Sequence, residues 1–297
     1  MPYQYKLQKV LKMRYAQLVM GPAGSGKSTY CSAMQKHAQT AKRTVHVVNL
    51  DPAAEYFDYQ PTVDVRDLIH LDDAMEDEEL RFGPNGGLVF CIEYLMKNMS
   101  WLEEQLGEGD DDYFLFDCPG QIELYTHMDA MKNIVDALQA LNFRMCGVFL
   151  VDSSFMVEGS KFISGTMAAL SVMVNISIPH VNVLTKMDLL NAESRNQLER
   201  FVDPDTRRLM DSDGSRFSER YRRLTAALAR VVDEYGLVQY HTLDLHDELS
   251  IGQLLAVVDN AIQYGEDEDV RTHEFEMPDP DDGEAADEQL SRYLQEL

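Results

Sequence analysis

GPAGSGKST, residues 21–29, follows the short apolar run AQLVM at 16–20 and opens a helical pattern over 28–38. A short apolar run that stops at a glycine reads as a buried strand. Strand, glycine-rich turn and helix in that order make a phosphate cradle. Gly21, Gly24 and Gly26 let the backbone close round a phosphate chain with its N–H groups inward, and Pro22, Ala23 and Ser25 complete the turn. The helix N-terminus that follows adds the positive end of its dipole. Lys27 brings a cation to the β- and γ-phosphates, Ser28 a hydroxyl for Mg²⁺, and Thr29 ends the nucleotide-binding stretch.

Working outward, 44–50 (TVHVVNL) is rich in β-branched residues and bounded by Asp51-Pro52, so it reads as a second strand. Residues 113–116, 145–151 and 180–184 read as three more, and 239–243 as the last. Helical patterns fill the intervals at 88–106, 121–141, 158–174 and 253–264. The alternation predicts an α/β fold with a mostly parallel central sheet flanked by helices. Ligands of such sheets bind beyond the carboxyl ends of the strands. Two stretches fall outside the minimal sheet as insertions, an acidic one at about 64–86 and a charged helical one at about 191–235. The latter carries an apolar stripe at Leu224, Leu228 and Val231.

The remaining motifs sit at strand ends. Asp117-Cys118-Pro119-Gly120-Gln121 follows the third strand. There Asp117 is placed to hold Mg²⁺ through water, Gly120 to approach the γ-phosphate, and Gln121 to orient an attacking water. Thr185-Lys186-Met187-Asp188 follows the fifth strand. Guanine offers N1–H and an exocyclic amine side by side, and the carboxylate of Asp188 accepts both, while the Lys186 stem covers the ring face. The first residue of such a motif is usually Asn, so Thr185 supplies one amide contact fewer. Asp51, in Asn49-Leu50-Asp51-Pro52-Ala53, reads equally as a turn cap or as a carboxylate facing the nucleotide. Gly83-Pro84-Asn85 reads by itself as a turn between two helical patterns.

Composition narrows the partners. The 297 residues carry a net charge of −25, which opposes direct binding to nucleic acid. Residues 266–297 hold 13 acidic and two basic side chains and contribute −11 of it. With Pro278, Pro280 and Gly283 they read as an acidic disordered tail. Residues 1–14 read as an extension. The four cysteines lack metal or redox spacing, and no apolar run reaches the ~18 residues of a membrane span. The expectation is a chain of the reducing cytoplasm.

In order, GPAGSGKST, NLDPA, GPN, DCPGQIE and TKMD resemble the motifs of the GPN-loop GTPases, and the resemblance runs from about residue 14 to 265. MRYAQLVMGPAGSGKSTYC and AIQYGEDED are most similar to the third eukaryotic branch. The resemblance implies GTP hydrolysis with Mg²⁺ in a constitutive dimer, whether with itself or with a paralogous family member. In that arrangement Asn85 acts in trans, in the partner's site, and Asp51 helps hold the Mg²⁺ shell or activates water, so the implied catalytic set is Asp51, Gln121 and Asn85. The resemblance further implies RNA polymerase II subunits or assembly factors as clients and passage into the nucleus. Two features depart from related patterns. Pro22 stands where related dimers carry a signature lysine, and Thr242-Leu243-Asp244-Leu245 lacks the Ser-Ala pair common beside guanine. Two other functions remain open on sequence alone. One is a GTP-binding assembly protein with negligible turnover; the other is an ATP-dependent small-molecule kinase whose lid would use Arg207, Arg208, Arg216, Arg220, Arg222 and Arg223.

Overall fold

The computed structural model describes residues 13–76, 82–107, 112–202 and 238–266, with 223–224, 227–228 and 230–231 between the last two segments. The chain divides into a unit at Met1–Tyr264 and another at Gly265–Leu297; the architecture below is that of the first. The acidic tail from 267 onward, residues 1–12 of the N-terminal extension and most of the second insertion, including Arg207 to Arg222, lie outside the described residues.

Seven strands are described: β1 (Arg14–Met20), β2 (Val45–Asn49), β3 (Val63–Asp64), β4 (Tyr113–Asp117), β5 (Phe143–Asp152), β6 (His180–Thr185) and β7 (Tyr240–Thr242). They form one sheet in the order β3-β2-β4-β1-β5-β6-β7, and every neighbouring pair is parallel. The helices are α1 (Lys27–Thr40), α2 (Leu71–Glu76), α3 (Pro84–Lys97), α4 (Met99–Leu106), α5 (Glu123–Thr126), α6 (Ala130–Ala140), α7 (Gly159–Ile176), α8 (Ala192–Val202) and α9 (Glu248–Ile262).

A parallel sheet needs both faces covered, and β1 shows how the residues meet that need. Tyr15 and Val19 belong to a core with Tyr30, Cys31 and Met34 of α1 and Leu254 and Val258 of α9. Ala16, Leu18 and Met20 belong to the opposite core, with Ile92 and Leu95 of α3, Ile134 and Leu138 of α6 and Ile163 of α7. Gln17 is the polar exception and is fully buried. Its Nε2 donates to the Tyr113 hydroxyl at 2.7 Å, and its Oε1 accepts from the Tyr30 hydroxyl at 2.6 Å. Tyr113 in turn donates to Asp259 at 3.1 Å, and Arg43 grips the same carboxylate with two N–H groups at 2.6 and 3.0 Å. Gln17, Tyr30, Tyr113 and Asp259 thus all find partners, as burial requires, and the network ties α1, β1, β4 and α9 together.

The observed elements depart from the sequence reading in four places. β1 begins at Arg14, inside the expected extension, because its guanidinium donates to the Leu106 carbonyl at 2.8 Å at the end of α4. The expected helix over 88–106 is two, α3 and α4, meeting at Asn98, whose Nδ2 donates to Tyr94 O at 2.8 Å. The expected helix over 121–141 is also two. Its break at 127–129 is held by Asn175 of α7, whose Nδ2 donates to Tyr125 O at 2.8 Å and Met128 O at 3.4 Å. Finally, a sheet strand the sequence did not show, β3, leads into the first insertion; its two residues are too short to show a period of two. Of the apolar stripe, Leu228 packs on the core and Leu224 is 56% exposed.

Candidate nucleotide-binding and hydrolysis site

Strand register assembles the site. Val19 of β1 and Asn49 of β2 both pair with Asp117 of β4. The turn at 21, the Asp51 loop and the Asp117 loop therefore leave the sheet at one level. On the other side Asp152 of β5 pairs with Thr185 of β6, which aligns the base motif with the same edge.

The cradle depends on two close approaches. Gly21 has φ +146°, and a Cβ there would lie 2.4 Å from Leu150 O. A Cβ on Gly120 would lie 3.0 Å from Ala23 Cα, so the Asp117 loop touches the cradle through that glycine. Gly26 caps α1 in the left-handed region and Thr29 is exposed in its first turn. Lys27 is buried and donates to the carbonyls of Gly21 and Pro22, both at 3.2 Å. Burial lowers its pKa, against the opposing pull of Asp117 and Asp51.

Those two carboxylates stand beside Lys27. Asp117 is 2% exposed and accepts from the Tyr59 hydroxyl at 2.7 Å, with the Ser28 side chain beside it. Asp51 accepts from the Ala53 N–H at 3.0 Å, and its own N–H donates to Asn49 Oδ1 at 2.9 Å. It is thus a turn cap and a site carboxylate together. Burial pushes both acids above the usual carboxylate value, and the charge of Asp51 adds to the rise at Asp117. Hard oxygens from Ser28, Asp51 and Asp117 fit Mg²⁺, which takes one or two carboxylates and completes its shell with water and phosphate. The described residues hold no cluster of three or more His, Cys, Asp or Glu side chains suited to a metal.

Gln121 precedes α5 in the loop, and its Nε2 donates to Asn85 Oδ1 of the same chain at 2.7 Å. Asn85 is not in a connecting turn. Gly83 is the N-cap of α3 and Pro84 stands at its start, where a missing N–H costs nothing. The Gly83-Pro84-Asn85 stretch is therefore a helix N-terminus whose Asn85 side chain meets Gln121.

On the base side, the Thr185 hydroxyl donates to Ser25 O at 2.7 Å with Val151 O at 3.2 Å. It is buried and braces the cradle, so the first residue of the base motif packs against the phosphate loop. Lys186 adopts the left-handed conformation and its ammonium donates to Asp152 Oδ2 at 2.8 Å. Asp188 opens to solvent with His246 Nε2 3.8 Å from its Oδ2. Leu243 N–H donates to Leu184 O at 2.8 Å, so the pairing of β7 with β6 carries one residue into the final loop, which lacks a Ser-Ala pair. Sequence reasoning missed Tyr59, Asp152 and His246. Of these, only Asp152 left a signal, as the acid that ends an apolar strand.

The fold and the site define a nucleotide-binding P-loop protein with a guanine-type base motif. Residues 19–264 match a family model described as "Conserved hypothetical ATP binding protein". The chain is 56% identical over 259 residues to the GPN-loop GTPase 3 of Danio rerio, covering 87% of this chain and 91% of that one. It is 48% identical over 255 residues to the GPN-loop GTPase 3 of Dictyostelium discoideum, covering 86% and 89%. The protein belongs to the GPN-loop GTPases and is a GTPase. Its fold is also that of a GTPase in apo form from Pyrococcus abyssi, with TM-score 0.65 and 20% identity over 84% of this chain and 97% of the other. No helix among the described residues is long and apolar enough to cross a membrane.

Proposed function

We propose that this GTPase is a Mg²⁺-dependent switch that works as a dimer, with itself or with a paralogous GPN-loop GTPase. In this reading it serves RNA polymerase II assembly and nuclear import from the cytoplasm, without touching nucleic acid or membrane. The observation that carries the catalytic part is the convergence of a buried Asp117 and a half-buried Asp51 beside Lys27 and Ser28. The cellular part rests on the family resemblance, and the net charge of −25 supports a protein client over a nucleic acid.

Residues 21–29 hold the phosphates. On nucleotide entry Lys27 exchanges two backbone carbonyls for β- and γ-phosphate oxygens. Ser28, Asp51 and Asp117 hold Mg²⁺, which when bound neutralises phosphate charge. Gln121 accepts and orients the attacking water, Gly120 keeps the loop close to the γ-phosphate, and Asn85 donates an amide from a partner subunit. Asp188 selects guanine, with Lys186 over the ring.

Phosphate release and native mass should be measured with Mg²⁺ and GTP or a non-hydrolysable analogue, alone and with each candidate family member. Mg²⁺-dependent release that rises in a nucleotide-stabilised dimer is expected. A chain that stays monomeric with every partner and still turns over GTP at full rate would overturn the dimer reading.

A further inference from the structure

Tyr59 lies in the loop between β2 and β3 and is 7% exposed. Its placement is built. The ring stacks on Phe57 with centroids 4.9 Å apart, and the Arg66 guanidinium lies 4.6 Å over Phe57. Arg66 is fixed in turn by Asp64, through Nε and Nη2 at 3.0 and 2.5 Å, and by Ala54 O at 2.8 Å. One residue before Tyr59, Asp58 O accepts from Ser32 of α1 at 3.2 Å. The loop is thereby pinned to the helix that follows the phosphate cradle.

The product of these contacts is one short hydrogen bond, from the Tyr59 hydroxyl to Asp117 Oδ2 at 2.7 Å, inside the protein. A carboxylate has two equivalent oxygens and a soft terminal torsion. A single buried donor on Oδ2 restricts that freedom and leaves Oδ1 as the second acceptor. The same loop carries Asp51 at its start, so it reaches the metal side twice. No other part of the catalytic scheme uses Tyr59.

We propose that Tyr59 is a positioning residue for Asp117, fixing the carboxylate orientation that sets the affinity of the nucleotide-bound chain for Mg²⁺. The inference rests on the proposed Mg²⁺ site. Tyr59→Phe removes one hydroxyl and keeps the ring stacked on Phe57. The measurement is dissociation of a fluorescent GDP analogue against free Mg²⁺, with a parallel series in EDTA. Loss of a hydrogen bond to a charged group should raise the Mg²⁺ midpoint by about tenfold or more. Nucleotide affinity and melting temperature in EDTA should stay as in the unaltered chain. In an Asp117→Asn background, adding Tyr59→Phe should move the midpoint no further.

An unchanged midpoint in Tyr59→Phe, where the unaltered chain responds to Mg²⁺, overturns the role of Tyr59 alone. Equal loss of affinity with Mg²⁺ and in EDTA makes Tyr59 a loop anchor and also overturns it. A further shift in the Asp117→Asn background, the arm that remains decisive if Tyr59→Phe alone folds poorly, does the same. Dissociation indifferent to Mg²⁺ in the unaltered chain overturns the metal site itself.

Discussion

Gln121 Nε2 donates to Asn85 Oδ1 at 2.7 Å within one chain. The two amides stand 36 residues apart and meet because α3 begins where the Asp117 loop ends. For Asn85 to act in a partner's site this contact must open, which frees Gln121 for water at the same moment. Asn85→Ala should lower turnover by ~10²–10³ and leave GTP affinity nearly unchanged, the usual cost of losing one transition-state donor. Mixing Asn85→Ala with Lys27→Ala chains separates the geometries. Recovered phosphate release in mixed dimers, with the natural partner also tested, means action in trans. No recovery means that Asn85 works on its own chain through Gln121.

The cradle should tolerate no side chain at residue 21. In Gly21→Ala the new methyl would meet Leu150 O at 2.4 Å on a backbone with φ +146°. Strain of this kind costs about 1–3 kcal/mol, so the loop must move off β5. Calorimetric titration should show GTP affinity lost in Gly21→Ala and in Lys27→Ala. Near-unaltered affinity in either variant would refute the cradle assignment.

Guanine selectivity should follow Asp188. Asp188→Asn should weaken GTP binding by about 1.5–3 kcal/mol for each charged hydrogen bond lost. The same variant should accept xanthosine nucleotides, whose exocyclic oxygen suits an amide donor. Competition titration with GTP, ATP and XTP checks both statements; equal binding of ATP and GTP by the unaltered chain would contradict a base-specific carboxylate.

His180 opens β6 with both ring nitrogens buried and lacking hydrogen-bond partners among the described residues. Burial lowers its pKa from 6.5 to about 4. The unfolded chain therefore takes up this proton at a higher pH than the folded one. The stability contribution is complete above pH 6.5 and is lost as the pH falls toward 4, at up to about 1.4 kcal/mol per pH unit. Urea unfolding across that window should show a shallower fall in stability for His180→Phe than for the unaltered chain. Parallel curves would show that the imidazole charges freely in the folded state.

Much of the fold was legible because its signals are local. Five apolar runs at 16–20, 44–50, 113–116, 145–151 and 180–184 became β1, β2, β4, β5 and β6 within a few residues. Their motifs all lie at one edge of the sheet. What misled the reading was interruption by distant groups. Apolar periodicity continues through 127–129, and only Asn175, about 50 residues on, shows where the helix stops. Gly83-Pro84-Asn85 carries turn residues, yet proline and glycine suit a helix start as well as a turn.

By itself the sequence determined the phosphate cradle, the parallel α/β order and the acids at the strand ends. Each is written in consecutive residues, where spacing alone decides which groups face a phosphate. The tertiary structure decided how those groups are used. Thr185 reads in sequence as the first residue of the base motif, and its hydroxyl braces Ser25 across 160 residues. Tyr59 has no motif around it, yet it holds Asp117 across 58. Contacts of that span arise only when the sheet sets its register, because pairing Val19 and Asn49 with Asp117 is what brings the loops to one level.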